Sequence, residues 1–147
     1  MVEPEKRRAA RIIAVDSQGR VLLLQYARSN GERFWATPGG GLESNESFEE
    51  AALREASEEM GVQGLAIKFL WERMTHFVHL DRVIHQQEQF FLMRVEPEHM
   101  RGPVETFHEK EGILEIRWWS LAALDGTDEI VFPEELASKL RAAILSG

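Results

Sequence analysis

The chain has 147 residues, the size of one ordinary domain, and its 44% hydrophobic and 29% charged residues exclude disorder throughout. It has no cysteine, so disulfides, thiolate nucleophiles and cysteine-held zinc or iron–sulfur centres are excluded, and any metal must be held by oxygen or imidazole. A net charge of −8 argues against gripping extended nucleic acid by its phosphate backbone, and no run approaches the roughly 18 apolar residues of a membrane helix. The opening MVEPEKRRAA carries charges but no apolar segment of a signal peptide, which reads as an untargeted, cytoplasmic protein. With no internal repeat, low-complexity tract or long linker, the expectation is a single domain over residues 1–147.

In chain order, Arg11 to Val15 and Val21 to Ala27 are aliphatic runs separated by Asp16, Ser17, Gln18 and Gly19, the turn chemistry of a hairpin. Phe34 to Thr37 is a further short strand, stopped by Pro38 and the glycines Gly39 to Gly41. Ser47 followed by Glu50 forms a capping box and Gly61 supplies a left-handed stop, so a helix is predicted from about residue 48 to 60. Leu65 to Met74, Phe77 to Leu80 and Gln89 to Val95 read as strands, the last two paired through Asp81 and Arg82. Ile113 to Trp119 is another strand. Pro133 is expected in the first turn of a closing helix that shows Leu136, Leu140, Ala143 and Ile144 at helical spacing. This order predicts an α/β fold, a mixed sheet with helices on its faces.

The predicted helix is unusually acidic. Residues 43–59 hold seven Glu against one Arg. At about 100° per residue, Glu55, Glu58 and Glu59 share one arc, while Ala52, Leu53, Ala56 and Met60 form the neighbouring apolar stripe. Glu55 with Glu58 and with Glu59 are like-charge neighbours, each costing about 0.2 to 0.5 kcal/mol on an exposed helix, and all three lie toward the negative end of the helix dipole. A bound cation would reverse both terms. The bland alternative is a solvated acidic face with Arg54 paired to Glu50 or Glu58.

Spacing decides between them. Gly40, Glu46, Arg54, Glu55, Glu58, Glu59 and Gly61 stand in the string GGLESNESFEEAALREASEEMGV. This resembles the Nudix box, G-x5-E-x7-R-E-U-x-E-E-x-G-U with U aliphatic, at all seven fixed positions; coincidence has a probability on the order of 10⁻⁶. Ala56 is smaller than the usual aliphatic residue at its position but removes no functional group. FWATPGGGLE and RWWSLAAL extend the resemblance more weakly over most of the chain.

The resemblance implies an α/β/α sandwich and a hydrolase that cleaves a nucleoside diphosphate linked to another moiety: a nucleoside triphosphate, a nucleotide sugar such as ADP-ribose, or a dinucleoside polyphosphate. It implies Mg²⁺ or Mn²⁺ on Glu55, Glu58, Glu59 and the Gly40 carbonyl, with Glu46 and Arg54 locking loop to helix, and it leaves a homodimer open. Hard divalent cations suit such oxygen ligands. Some family members place the general base in a late loop, which favours Glu111 over Glu109 and Glu115. The competing reading is a catalytically silent module that binds a nucleotide or a protein. An isomerase of the same fold that uses a cysteine, and an EF-hand, fit poorly.

Other residues carry weaker signals. Arg28 and Arg33 flank a Ser-Asn-Gly stretch and are candidate phosphate or sugar contacts, and Trp35 is a candidate base contact. Adjacent Trp118 and Trp119 must point to opposite faces of a strand. Lys6, Arg7, Arg8 and Arg11 form a basic cluster whose default is solvation, with phosphate steering as the alternative. His76, His79, His85, His99 and His108 lack a compact zinc pattern.

Overall fold

The computed structural model describes residues 3–100 and 112–145. Its elements are β1 (Glu5–Val15), β2 (Val21–Ala27), β3 (Arg33–Ala36), β4 (Gly39–Gly41), α1 (Phe48–Met60), β5 (Ile67–His79), β6 (Arg82–Arg94), β7 (Glu115–Trp119), α2 (Leu121–Gly126), β8 (Ile130–Phe132) and α3 (Leu136–Leu145), with a 3₁₀ turn at Pro97–His99. The sheet runs β5-β6-β1-β2-β3-β8, with β4 added to β1 and β7 to β2. β1 with β6 and β3 with β8 are parallel and the other pairs antiparallel, so the sheet is mixed as expected.

The β1–β2 hairpin exists only at its mouth. Asp16 accepts from the Gln18 and Arg20 amides at 3.0 and 2.8 Å and Gly19 takes a positive φ, but the register is limited to Val15 with Val21. Beyond it the strands part, because the segment after β3 takes the edge of β1 that β2 would have used. Ile12 N donates to Pro38 O at 2.8 Å, and Gly39, Gly40 and Gly41 pair with Arg11, Ala10 and Ala9. The three glycines are thus a short strand as well as a strand stop. Only glycine fits at Gly39: its φ is 138°, and a Cβ there would lie 2.2 Å from the Ala10 carbonyl oxygen.

From Ala9 onward β1 is buried on both faces and divides two cores. Ala10, Ile12 and Ala14 meet Ala51, Ala52, Ala56 and Met60 of α1, whose small side chains let the helix lie close to the sheet. Ile13 and Val15 face the other way, onto Trp35, Trp71, Phe90, Trp119 and the Leu136 and Leu140 of α3. At about 1.5 to 3 kcal/mol for each large apolar side chain buried, these layers hold α1 and α3 to opposite faces, giving the expected helix–sheet–helix order.

Several local expectations are corrected. The runs expected at Leu65 to Met74 and Phe77 to Leu80 merge into one strand, β5 over Ile67–His79, ending in a two-residue turn where Leu80 and Asp81 have φ of 50° and 62°. The polar Thr75 and His76 do not break it, since this half of the hairpin extends past the core and needs no apolar face. β7 begins at Glu115 rather than Ile113, and Pro133 precedes α3 in a turn, its carbonyl accepting from Leu136 N at 3.1 Å. β8 and α2 were not foreseen, being too short to show a hydrophobic period.

Candidate active site

The predicted acidic helix is held at both ends by its own caps. Ser47 Oγ accepts from Glu50 N at 3.0 Å, Glu50 Oε1 accepts from Ser47 N at 2.9 Å, and Gly61 has φ 68°. Arg54 then ties the helix to the preceding loop. Its Nε and Nη2 donate to the two oxygens of Glu46 at 2.8 and 2.9 Å, Nη2 donates to Gly41 O at 3.0 Å, and Nη1 reaches Glu55 at 3.0 Å and Glu58 at 3.3 Å. The fork to Glu46 pulls that carboxyl below its usual range and raises the guanidinium in turn. Arg54 therefore serves loop, helix and acids together, and does not pair with Glu50.

Glu55 and Glu59 are only 8% and 3% exposed, whereas Glu58 sits higher on the rim. Glu59 Oε1 accepts from Gly39 N at 2.7 Å and its Oε2 faces Tyr26 OH at 3.4 Å. Gly40 lies against Glu55 so closely that a Cβ there would be 2.7 Å from Oε1. Burial, then the neighbouring Glu55 charge, pushes Glu59 up to about 8, against the Gly39 amide and Arg11, which favour its ionised form. Burial raises Glu55 as well, and burial together with the Glu59 charge raises Tyr26.

These groups line a cavity of about 390 Å³. Its donors are hard carboxylate oxygens, with Glu55 and Glu59 buried side by side, which fits a divalent cation of the magnesium type. Glu55 and Glu59 are the buried candidates to hold it, with Glu58 at the rim. Among the described residues no three acid or imidazole side chains already converge on one metal-sized point, since Glu58 faces Arg54.

The remaining predicted residues are scattered. Trp35 is fully buried and its Nε1 donates to Glu129 at 3.2 Å, so it fills the core between sheet and α3 and offers no ring face to a ligand. Arg28 pairs with Glu32, and its guanidinium lies over Phe34 and Phe132 at 5.4 and 5.8 Å. Arg33 is exposed at the start of β3. Trp118 and Trp119 do face opposite layers. Glu115 is exposed and bonds Arg117; Glu109, Glu111 and His108 lie outside the described residues. His76 and His85 are cross-strand neighbours, away from His99 in its 3₁₀ turn.

A second cleft, of about 650 Å³, was not foreseen. Phe34, Phe77, Phe90 and Phe132 contribute aromatic walls, and Arg11, Arg73 and Glu88 polar ones. Tyr26, stacked on Phe34 at 5.5 Å, connects this cleft with the acidic cavity. The available signal was Arg11, the last charge of the basic cluster, set between the buried Ala10 and Ile12 of β1.

The family model described as NUDIX domain matches residues 5–139. The chain is 28% identical to an RNA pyrophosphohydrolase of Sphingopyxis alaskensis, covering 90% of this chain and 89% of that protein. It is 35% identical to an RNA pyrophosphohydrolase of Halorhodospira halophila, over 68% of this chain and 59% of the relative. It spans about half the length of several other curated relatives. Among solved structures, the E. coli dihydroneopterin triphosphate pyrophosphohydrolase superposes with a TM-score of 0.71 at 20% identity, covering 99% of this chain and 100% of that one, a likeness of fold.

Proposed function

The chain belongs to the NUDIX domain family and is a pyrophosphohydrolase, and from that premise we propose that it cleaves the phosphoanhydride of a small nucleoside diphosphate derivative with Mg²⁺ or Mn²⁺. The observation that carries this reading is the buried Glu55–Glu59 pair, held between the Gly39 amide and the Arg54 clamp on the wall of the acidic cavity. In the proposal Glu55 and Glu59 hold the cation with the Gly40 carbonyl, Glu58 holds a further cation or its waters, and Glu46 and Arg54 fix the loop to the helix. The cation supplies charge neutralisation for the phosphate oxygens.

Water oxygen bonds to phosphorus as the bridging P–O bond breaks, and Glu111 is the proposed acceptor of the water proton. Arg28 and Arg33 remain proposed contacts at the outer end of the substrate. The reading includes a cytoplasmic setting, in keeping with the absence of cysteine; no helix among the described residues is long and apolar enough to cross a membrane.

The relatives' names raise RNA as a second substrate class, and the net charge of −8 speaks against a grip on the polymer. A panel of nucleoside triphosphates, nucleotide sugars, dinucleoside polyphosphates and 5′-triphosphorylated RNA, assayed for phosphate and nucleotide release, separates the two. Activity should require Mg²⁺ or Mn²⁺ and fall by about 10²- to 10³-fold in Glu59→Gln. Activity that survives a chelator, or that is undiminished by that substitution, refutes the mechanism, and calorimetric binding across the panel without turnover supports the silent module instead.

A further inference from the structure

Glu88 is a carboxylate buried in the middle of β6, 4% exposed, between two guanidiniums. Its Oε2 accepts from Arg11 Nε at 3.1 Å and its Oε1 from Arg73 Nε at 2.8 Å. The register produces this: Glu88 stands opposite Ala9 in the parallel β1–β6 pair and opposite Arg73 in the antiparallel β5–β6 pair. The two arginines differ in what they have left to give. Arg73 is further held by Glu134 at 3.3 Å and Glu135 at 2.9 Å, in the turn before α3. Arg11 bonds Glu88 through Nε, and among the described residues its two Nη groups donate to no side chain.

Arg11 is also placed at the seam between the two cavities. It lines the aromatic cleft, yet its backbone lies directly behind Gly39, where an added Cβ would come within 2.8 Å of the Arg11 Cα. The amide of Gly39 donates to Glu59, and the charge of Arg11 acts on both Glu59 and Tyr26. A guanidinium with one edge clamped and a fork of donors left over is suited to a phosphate, which accepts two parallel N–H bonds.

We propose that Arg11 binds a substrate phosphate at the junction of the acidic cavity and the aromatic cleft, and that Glu88 is the positioning residue that aims it. The assignment rests on the hydrolase reading only in taking the ligand to be a phosphate. Glu88 touches no substrate in this scheme and acts through Arg11. Arg73, already committed to the turn before α3, holds the other oxygen of Glu88 so that the carboxylate cannot swing away.

The test measures binding of inorganic pyrophosphate, in the presence of Mg²⁺, by calorimetry with the full chain. Wild type should bind, Glu88→Gln should bind about tenfold more weakly, and Arg11→Lys should lose a similar factor because it keeps the charge without the fork. In the double variant, Glu88→Gln should cost nothing further. Arg11→Lys preserves the charge opposite Glu88 and keeps the test open if Glu88→Gln folds poorly. No pyrophosphate binding by wild type, unchanged affinity in Arg11→Lys, or an undiminished Glu88→Gln effect in the double variant would each overturn the assignment. Nucleotide turnover is read on the same samples. Arg11-dependent pyrophosphate binding by a protein that cleaves none of the panel would remove the hydrolase reading and uphold this one.

Discussion

Two glutamates in this molecule are almost equally hidden from water, Glu59 at 3% and Glu88 at 4% exposure, and their surroundings drive them in opposite directions. Burial opposes ionisation of Glu88, but Arg11 and Arg73 outweigh it and hold the carboxyl below its usual value. Glu59 has a second carboxylate, Glu55, as its near neighbour, and the Gly39 amide and the more distant Arg11 do not make up the difference, so it rises to about 8. Depth alone therefore says little about a buried acid. What matters is which charges stand beside it: two guanidiniums at Glu88, and a second carboxylate at Glu59, where a cation from solution would be favoured.

The sharpest way to break this contrast is to neutralise each acid without changing its shape. Glu59→Gln should reduce kcat by about 10²- to 10³-fold, as loss of a group acting directly on the charge of the reacting centre commonly does. The metal-free protein should unfold at the same or a higher temperature, since a strained carboxylate has gone. Steady-state kinetics and thermal melts of the same sample check both halves. Glu88→Gln should do the reverse to stability and cost about 2 to 3 kcal/mol. That lies below the 3 to 5 kcal/mol of a fully buried broken pair, because both guanidiniums keep access to water. Equal stability losses in the two variants would refute the distinction.

Acidity sharpens the comparison further. Folded Glu59 retains a proton that the unfolded chain has lost, so metal-free stability should fall as pH rises from about 4.5 to 8 and then level. Glu88 has the opposite sign: its contribution is present above the ordinary carboxylate value and is lost as pH falls through its lowered value. Denaturant melts across this range should show the decline, Mg²⁺ should flatten it, and Glu59→Gln should reduce it, leaving the smaller share of Glu55. An undiminished slope in that variant would assign it elsewhere. The smallest expected effect is that of Ser47→Ala, which removes the helix cap at a cost of about 1 kcal/mol and leaves every charge in place. It should lower the melting temperature while kcat stays near wild type at temperatures where the protein is folded.

The legible part of this site was the part lying on one helix. Ser47, Glu50 and Gly61 bounded α1 at the residues observed, and the spacing of Arg54, Glu55, Glu58 and Glu59 placed them around one cavity with the glycines, Glu46 joining through Arg54. Trp35 was misread as a ligand contact because an aromatic residue in a four-residue strand carries no mark of which face its sheet will bury. The hairpin of β1 and β2 was half right for a similar reason. Its turn chemistry is local, whereas the departure of the strands depends on Pro38 and Gly39 arriving from later in the chain.

By itself the sequence determined the helix, its caps and the grouping of acids along it, because these depend on neighbours three to eight residues apart and on a fixed helical period. Tertiary structure alone decided which charges would stand beside each buried acid. Arg11 and Glu88 are 77 residues apart and meet only because β1 lies parallel to β6, while β4 brings the Gly39 amide to Glu59 from the opposite edge of β1. Charge balance in a buried site is a sum over groups from distant strands, and it takes its value only when the sheet is assembled.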